Sequence, residues 1–228
     1  MNYIVIPAYQ PDNKLIKLIE KIHEKSDFHI LVIDDGSSSE CQKIFDKAKQ
    51  FATVIRHQVN QGKGQALKTA FTYIQEQNIY GTVVTADADG QHKVWDIFRT
   101  ANKTSENPNK LILGVRAFSG KVPLRSRFGN SLTKALFKLQ TGVGVTDTQT
   151  GLRAFTTNLI PFMLKIEGQR YEYEMNMLLE ATKEYEILEV PIETVYINDN
   201  EASHFRPIQD GLMIYKNIFK FALSSLSS

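Results

Sequence analysis

The chain of 228 residues has little that would tie it to a secreted, membrane-spanning or polyanion-binding class. It holds one cysteine, Cys41, so no disulfide can form within it, which fits a reducing compartment. Basic and acidic residues nearly cancel, 27 against 25, and a net charge of +2 gives no bulk attraction to nucleic acid. No run approaches the roughly 18 consecutive apolar residues of a membrane span. The start, MNYIVIPAYQP, lacks a basic region followed by a long apolar stretch and reads as a first strand rather than a secretory leader. Repeats and low-complexity linkers are missing, and His23, His29, His57, His92 and His204 show no metal-ligand spacing.

What is present is a globular composition, 42% apolar and 23% charged, long enough for a sizeable core in one domain. Short β-branched runs at Tyr3–Pro7, Phe28–Ile33, Thr53–Arg56, Gly81–Thr85 and Leu111–Val115 predict strands. Between them, helical patterns fall near 13–25, 39–51, 63–77 and 94–103; in the third, Leu67, Ala70, Phe71 and Ile74 share one face. Later segments predict helices near 124–139 and 171–183, strands near 186–190 and 192–197, and a last amphipathic helix from about Ile208. Strand–helix alternation with uncharged strand centres predicts an α/β fold, a mostly parallel sheet with helices on both faces. Ligands of such sheets sit outside the carboxyl ends of the strands.

Those ends carry acids. Strand two finishes in Val32-Ile33-Asp34-Asp35-Gly36-Ser37-Ser38, and strand four in Ala86-Asp87-Ala88-Asp89-Gly90. Aspartate is a poor strand residue and costly to bury unpaired. Several carboxylates at one edge repel unless a cation joins them, and Mg²⁺ or Mn²⁺ prefers oxygen ligands, often one or two carboxylates plus substrate phosphates. Asp87 and Asp89 therefore suggest a metal–diphosphate clamp; the plain alternative is a pair of acidic turns capping the next helices. An EF-hand loop from Asp87 would need an acid where Phe98 stands, and an aspartyl-phosphate hydrolase a small β-branched residue where Gln91 stands. His92 is the histidine next to the clamp. Gly62-Lys63-Gly64 lacks the Walker pattern and reads either as a loose helix start or as one that lets Lys63 approach a nucleotide.

Ile6-Pro7-Ala8-Tyr9, Val32-Ile33-Asp34-Asp35-Gly36-Ser37, Asn60-Gln61-Gly62-Lys63-Gly64, Ala86-Asp87-Ala88-Asp89-Gly90-Gln91-His92 and Asp147-Thr148-Gln149-Thr150-Gly151-Leu152-Arg153 resemble, together and in this order, the family 2 glycosyltransferases of the GT-A (Rossmann-like) fold. Within that family they are most similar to the dolichyl- or polyprenyl-phosphate sugar transferases. The resemblance covers roughly residues 2–210, leaving 211–228 as a C-terminal amphipathic helix that reads either as packing on the core or as lying at a membrane surface. It implies a nucleoside-diphosphate sugar donor, with UDP-glucose favoured, inversion at the anomeric carbon, and Mg²⁺ or Mn²⁺. Pro7, Tyr9 and Asp35 would line the nucleoside pocket, with Asp34 or Asp35 on the base or ribose and Lys63 nearby. Asp87 and Asp89 would hold metal and diphosphate, with Gln91 supporting the metal.

Arg116 ends strand five at the same edge, Arg125 and Arg127 open the next helix, and Arg206 follows in SHFRP. Arginine binds phosphate bidentately, and the subgroup uses basic residues here for donor diphosphate and lipid phosphate. Asp147 is the acid that acts as general base in relatives that glycosylate hydroxyls; a phosphate acceptor is already an oxyanion and needs none. Glu172 and Glu174 do not share a helix face, so one is expected to reach the site and the other to face solvent. Relatives of this kind often continue into a membrane domain near this point, so a membrane surface or membrane-domain partner is expected, with the protein in the cytoplasm at the inner face of the cell membrane.

The reading is a polyprenyl-phosphate hexosyltransferase. The alternatives are a family 2 enzyme acting on a sugar hydroxyl in cell-surface polysaccharide synthesis, a sugar-phosphate nucleotidyltransferase, and a non-catalytic nucleotide-sugar module. Pro7-Ala8-Tyr9-Gln10-Pro11 argues against the nucleotidyltransferase, which wants a glycine-rich basic loop after strand one.

Overall fold

The computed structural model describes residues 1–116 and 124–193, with backbone alone between 124 and 132. Among the described residues seven strands form one sheet in the order β3-β2-β1-β4-β6-β5-β7. They are β1 (Tyr3–Ala8), β2 (His29–Asp34), β3 (Thr53–Arg56), β4 (Thr82–Thr85), β5 (Lys110–Arg116), β6 (Arg153–Thr156) and β7 (Glu186–Ile192). Only β6 runs against its neighbours; β1 pairs in parallel with both β2 and β4, and β5 with β7. The chain leaves β1 toward β2 and β3, then returns to β4 on the other side. The strand order thus reverses between β1 and β4, where doubly wound sheets open a crevice at their carboxyl edge.

Strand residues alternate between two cores, as the period of two demands. Tyr3, Val5, Leu31, Ile33, Val83 and Phe155 face one side, under α3 (Lys63–Glu76), α6 (Ile160–Lys165) and α7 (Glu172–Glu184). Ile4, Ile6, Ile30, Val32, Val84 and Ala154 face the other, under α1 (Asn13–Lys25), α2 (Gln42–Ala48) and α4 (Val94–Glu106). Apolar residues on both faces explain the uncharged strand centres. Helix α1 begins where the Asp12 carboxylate accepts from Lys14 N–H at 2.7 Å, a side-chain N-cap. Helix α5 covers Leu124–Thr141. Among the described residues no helix is long and apolar enough to cross a membrane.

The expected helix over 39–51 is shorter, a single 3-10 turn at Ser39–Cys41 followed by α2. The two strands expected near 186–190 and 192–197 are, within the described residues, one strand through Pro191. Among the described residues β7 is the last strand of the sheet and pairs with β5 alone, and an edge strand tolerates a residue with no N–H. The sequence pattern passed over β6 and α6. The segment from about Ile208 and the tail 211–228 lie outside the described residues.

Candidate active site

Every motif at a strand end reaches the carboxyl edge, and the acids there are held by internal donors. Asp34 is buried; its Oδ1 accepts from Ser37 N–H at 2.8 Å and its Oδ2 lies 3.2 Å from Arg56 Nε. Asp35, also buried, accepts four donors: His57 Nδ1 and Gln61 N on Oδ1, both at 2.8 Å, and Asn60 Nδ2 at 2.9 Å and Gly62 N at 2.8 Å on Oδ2. One carboxylate thereby ties Asn60–Gly62 to the tip of β2, fixing the entry of α3.

That entry is tightly packed rather than loose. Gly62 has φ +101°, and a Cβ there would lie 2.5 Å from the Gln169 carbonyl oxygen. A Cβ on Gly64 would lie 2.5 Å from Tyr173 Cβ. Both glycines allow α3 to seat against the start of α7. The seating places Lys63 Nζ 2.7 Å from Asp87 Oδ1 and 2.8 Å from Glu174 Oε2. Pro7 is half-buried on β1, and Tyr9 beyond it is 37% exposed. Gln10 N–H donates to Ser37 Oγ at 2.9 Å, joining the β1 loop to the β2 loop.

At the tip of β4, Asp87 Oδ2 lies 3.3 Å from His92 Nε2. Its carboxylate rests on Gly151, where a Cβ would come within 2.6 Å of both oxygens. Asp89 Oδ1 accepts from Gln91 N–H at 2.9 Å. Burial alone would raise the Asp87 pKa, but Lys63 and then His92 hold it well below the usual carboxylate range. Burial, and then the charge of Asp87, push Asp89 up. Burial disfavours the Lys63 ammonium, yet Asp87 and Glu174 more than reverse this and raise its pKa.

Asp89 is thus a carboxylate whose charge is opposed by its surroundings and would be relieved by a cation. Among the described residues no three His, Cys, Asp or Glu side chains converge as a metal cage. Two hard oxygen donors one residue apart nonetheless suit an ion that takes one or two carboxylates and completes its shell with substrate phosphate and water. The residues fit a divalent cation bound together with a diphosphate.

Across the site, Asp147 is fully buried. Arg116 binds it through Nε to Oδ2 at 2.6 Å and Nη2 to Oδ1 at 2.9 Å, and Gln149 N–H adds a bond at 3.1 Å. The turn after it is stapled to the sheet: Thr150 Oγ donates to Gly114 O at 2.6 Å and Thr85 Oγ to Gly151 O at 2.7 Å.

The sequence reading gave no role to Arg153, which is fully buried and donates through Nε to Thr150 O at 3.0 Å and through Nη1 to Glu174 O at 2.5 Å. It locks α7 onto the turn. Both glutamates of Tyr171-Glu172-Tyr173-Glu174 are buried, so neither faces solvent as one was expected to. Glu172 folds back to accept from Gln169 and Arg170 N–H at 3.0 and 3.1 Å, while Glu174 turns inward to Lys63. Arg125 and Arg127 fall in the first turn of α5, where side chains are outside the described residues, as is Arg206 altogether.

Residues 3–163 match the family described as glycosyl transferase family 2, well over half of the chain. The chain belongs to glycosyltransferase family 2. A UDP-N-acetylglucosamine–dolichyl-phosphate N-acetylglucosaminyltransferase of Methanococcus voltae is 28% identical over 85% of this chain and 85% of that protein. A dolichyl-phosphate β-glucosyltransferase of Saccharomyces cerevisiae is 27% identical over 83% of this chain and 65% of that protein. Glucosyl-3-phosphoglycerate synthase from Mycobacterium tuberculosis, crystallised with Mn²⁺, UDP and phosphoglyceric acid, matches with a TM-score of 0.71 at 17% identity, over 98% of this chain and 78% of that one. At that identity the likeness shows the fold, which is GT-A. The edge that gathers Asp87, Asp89, Lys63 and the Arg116–Asp147 pair is the candidate active site of this family 2 chain.

Proposed function

We propose that this glycosyltransferase moves a hexose from a UDP-sugar to a polyprenyl phosphate with inversion, in direct displacement and at a membrane surface. The observation that carries the acceptor assignment is the Arg116–Asp147 fork. In this region a base would be needed to deprotonate a hydroxyl, yet both Asp147 oxygens accept from Arg116. A phosphate monoester, with a second pKa near 6, attacks as an oxyanion and needs no such base. The names of the dolichyl-phosphate relatives support the same acceptor.

Asp87 and Asp89, with Gln91 beside them, are the residues we assign to the divalent cation. Bound there, Mg²⁺ or Mn²⁺ would supply charge neutralisation for the leaving nucleoside diphosphate. Lys63 and Arg116 add fixed positive charge where that diphosphate develops charge. Tyr9 offers an exposed ring beside Pro7 for the base, and Asp34 and Asp35 hold the two loops that frame it. Arg125, Arg127 and Arg206 are assigned to the acceptor phosphate from their places in the sequence. Glucose is the first choice of sugar, and the N-acetylglucosaminyl relative puts that sugar second.

The test is UDP release from a panel of UDP- and GDP-sugars, with Mg²⁺ or Mn²⁺, with and without a short polyprenyl phosphate. Release that needs both metal and lipid phosphate and is lost in Asp89→Ala supports the assignment. Metal-dependent donor binding that ignores lipid phosphate rejects the acceptor and points to a sugar hydroxyl.

A further inference from the structure

Lys63 lies between two carboxylates that arrive from opposite sides of the site. Asp87 comes from the tip of β4 and Glu174 from the first turn of α7, and the ammonium meets them at 2.7 and 2.8 Å. The Asp87 oxygen it holds is one that a divalent cation would also claim. Glu174 is more than nine-tenths buried, and its second oxygen, Oε1, has no hydrogen-bond partner. A buried carboxylate oxygen without a donor is costly and calls for an explanation. The lysine stem has four rotatable carbons, so its head can shift between neighbouring acceptors without backbone movement.

We propose that Lys63 is a resident counter-ion of the donor site, which holds Asp87 before the metal and diphosphate arrive and then yields that oxygen, with Glu174 as its second anchor. The proposal rests on the assignment of a divalent cation to Asp87 and Asp89. While the site waits, the ammonium balances the charge of Asp87 and reduces the repulsion between the acids. When a cation takes Asp87, Lys63 keeps one bond to Glu174 Oε2 and can gain Oε1. Its remaining donors are then available to a diphosphate oxygen. Glu174 is a positioning residue here, acting through Lys63. The arrangement makes metal alone a weak ligand and couples its binding to the donor.

The experiment measures Mn²⁺ binding by electron paramagnetic resonance, with and without UDP, on the full chain. Lys63→Met removes the competitor and leaves Glu174 without its ion pair. It should bind Mn²⁺ alone about tenfold more tightly than wild type, given the size of close charge-pair couplings, and gain more thermal stability from Mn²⁺. Glu174→Gln leaves Lys63 on Asp87 alone and should weaken Mn²⁺ binding about threefold, by the same coupling reduced for a second anchor. UDP should tighten Mn²⁺ binding strongly in wild type and much less in Lys63→Met.

Opposite signs for the two variants are what a merely structural lysine would not produce. Equal or weaker Mn²⁺ binding in Lys63→Met overturns the proposal, as does tighter binding in Glu174→Gln. Should Lys63→Met fail to fold, Lys63→Gln and the Glu174→Gln arm carry the same test. Failure of the underlying metal assignment looks different: wild type, Lys63→Met and Asp89→Asn would all bind Mn²⁺ equally poorly, with or without UDP.

Discussion

Arg116 grips Asp147 with both arms of its guanidinium, Nε to Oδ2 at 2.6 Å and Nη2 to Oδ1 at 2.9 Å, across 31 residues of sequence. One partner is at the carboxyl end of β5 and the other is wholly buried below the turn that leads into β6. The fork fixes the direction of the guanidinium at the carboxyl edge of the sheet and occupies both oxygens of Asp147.

If Asp147 works through Arg116, the two residues act as one unit. Asp147→Asn and Arg116→Lys should each lower turnover by about a hundredfold, the scale of losing one preorganised charge-stabilising donor. The double variant should lose no more than about threefold beyond the worse single one, because residues in one network are not additive. Initial rates at saturating donor and acceptor check this. A far larger loss in Asp147→Asn than in Arg116→Lys would assign base catalysis to Asp147 after all.

The carboxylate of Asp87 lies against Gly151 with no room for a methyl group. Gly151→Ala should push that flexible side chain aside, weakening donor binding about tenfold or more while changing stability by only about 1 kcal/mol. Calorimetric titration with UDP and Mn²⁺, beside a thermal melt, separates the two effects. Unchanged titration would mean that Asp87 need not hold its present place.

Asp35 satisfies four donors, three from Asn60–Gly62 and one from the His57 ring. Asparagine keeps one acceptor oxygen and turns N–H groups toward existing donors. Asp35→Asn should cost about 2–3 kcal/mol, the range for leaving buried polar groups unsatisfied. Denaturant unfolding checks it; a loss under about 0.5 kcal/mol, typical of surface changes, would show that the loop is held by something else.

The Tyr173 hydroxyl is buried and donates to the Met163 carbonyl oxygen at 2.8 Å. Burial raises its pKa in the folded protein, with Glu174 adding to the rise against the pull of Arg153. A group whose folded pKa is raised contributes stability below its unfolded pKa, and that contribution falls as pH rises beyond it. The melting temperature should therefore drop as pH climbs above about 10, where an unfolded tyrosine ionises. Tyr173→Phe should be less stable at pH 8 but flatter between pH 9.5 and 11, a difference that melts across that range, on the scale of these pKa values, will reveal.

Much of this arrangement was legible because strand ends announce themselves chemically. Val32-Ile33-Asp34 and Val83-Val84-Thr85-Ala86-Asp87 change from apolar to acidic where the sheet stops, so both acid motifs are placed at one edge by sequence alone. Helix α1 was readable to its bounds, since Asp12 caps it and its buried leucines and isoleucines keep one face. β6 was not readable: four residues beginning with Arg153 look like part of a turn, and only packing under α7 turns that arginine into a core residue. Helical spacing separates Glu174 from Glu172 and so left open which of the two reaches the site. Both lie in the first turn of α7, where Glu172 bends back onto exposed N–H groups and Glu174 points to α3. Pairings such as Lys63 with Glu174 join distant segments, and no local pattern encodes them. Arg125, Arg127 and Arg206 stand as sequence-based assignments.

The most direct measurement is transfer of radiolabelled hexose from UDP-hexose, with Mg²⁺ or Mn²⁺, to a short polyprenyl phosphate, followed as label extracted into organic solvent. Lipid-linked label that needs the metal, disappears in Asp89→Ala and carries the anomeric configuration opposite to the donor is the predicted result. Label that stays water-soluble whether or not lipid phosphate is present, while donor and metal still bind, would contradict the acceptor and leave a glycosyltransferase acting on hydroxyls.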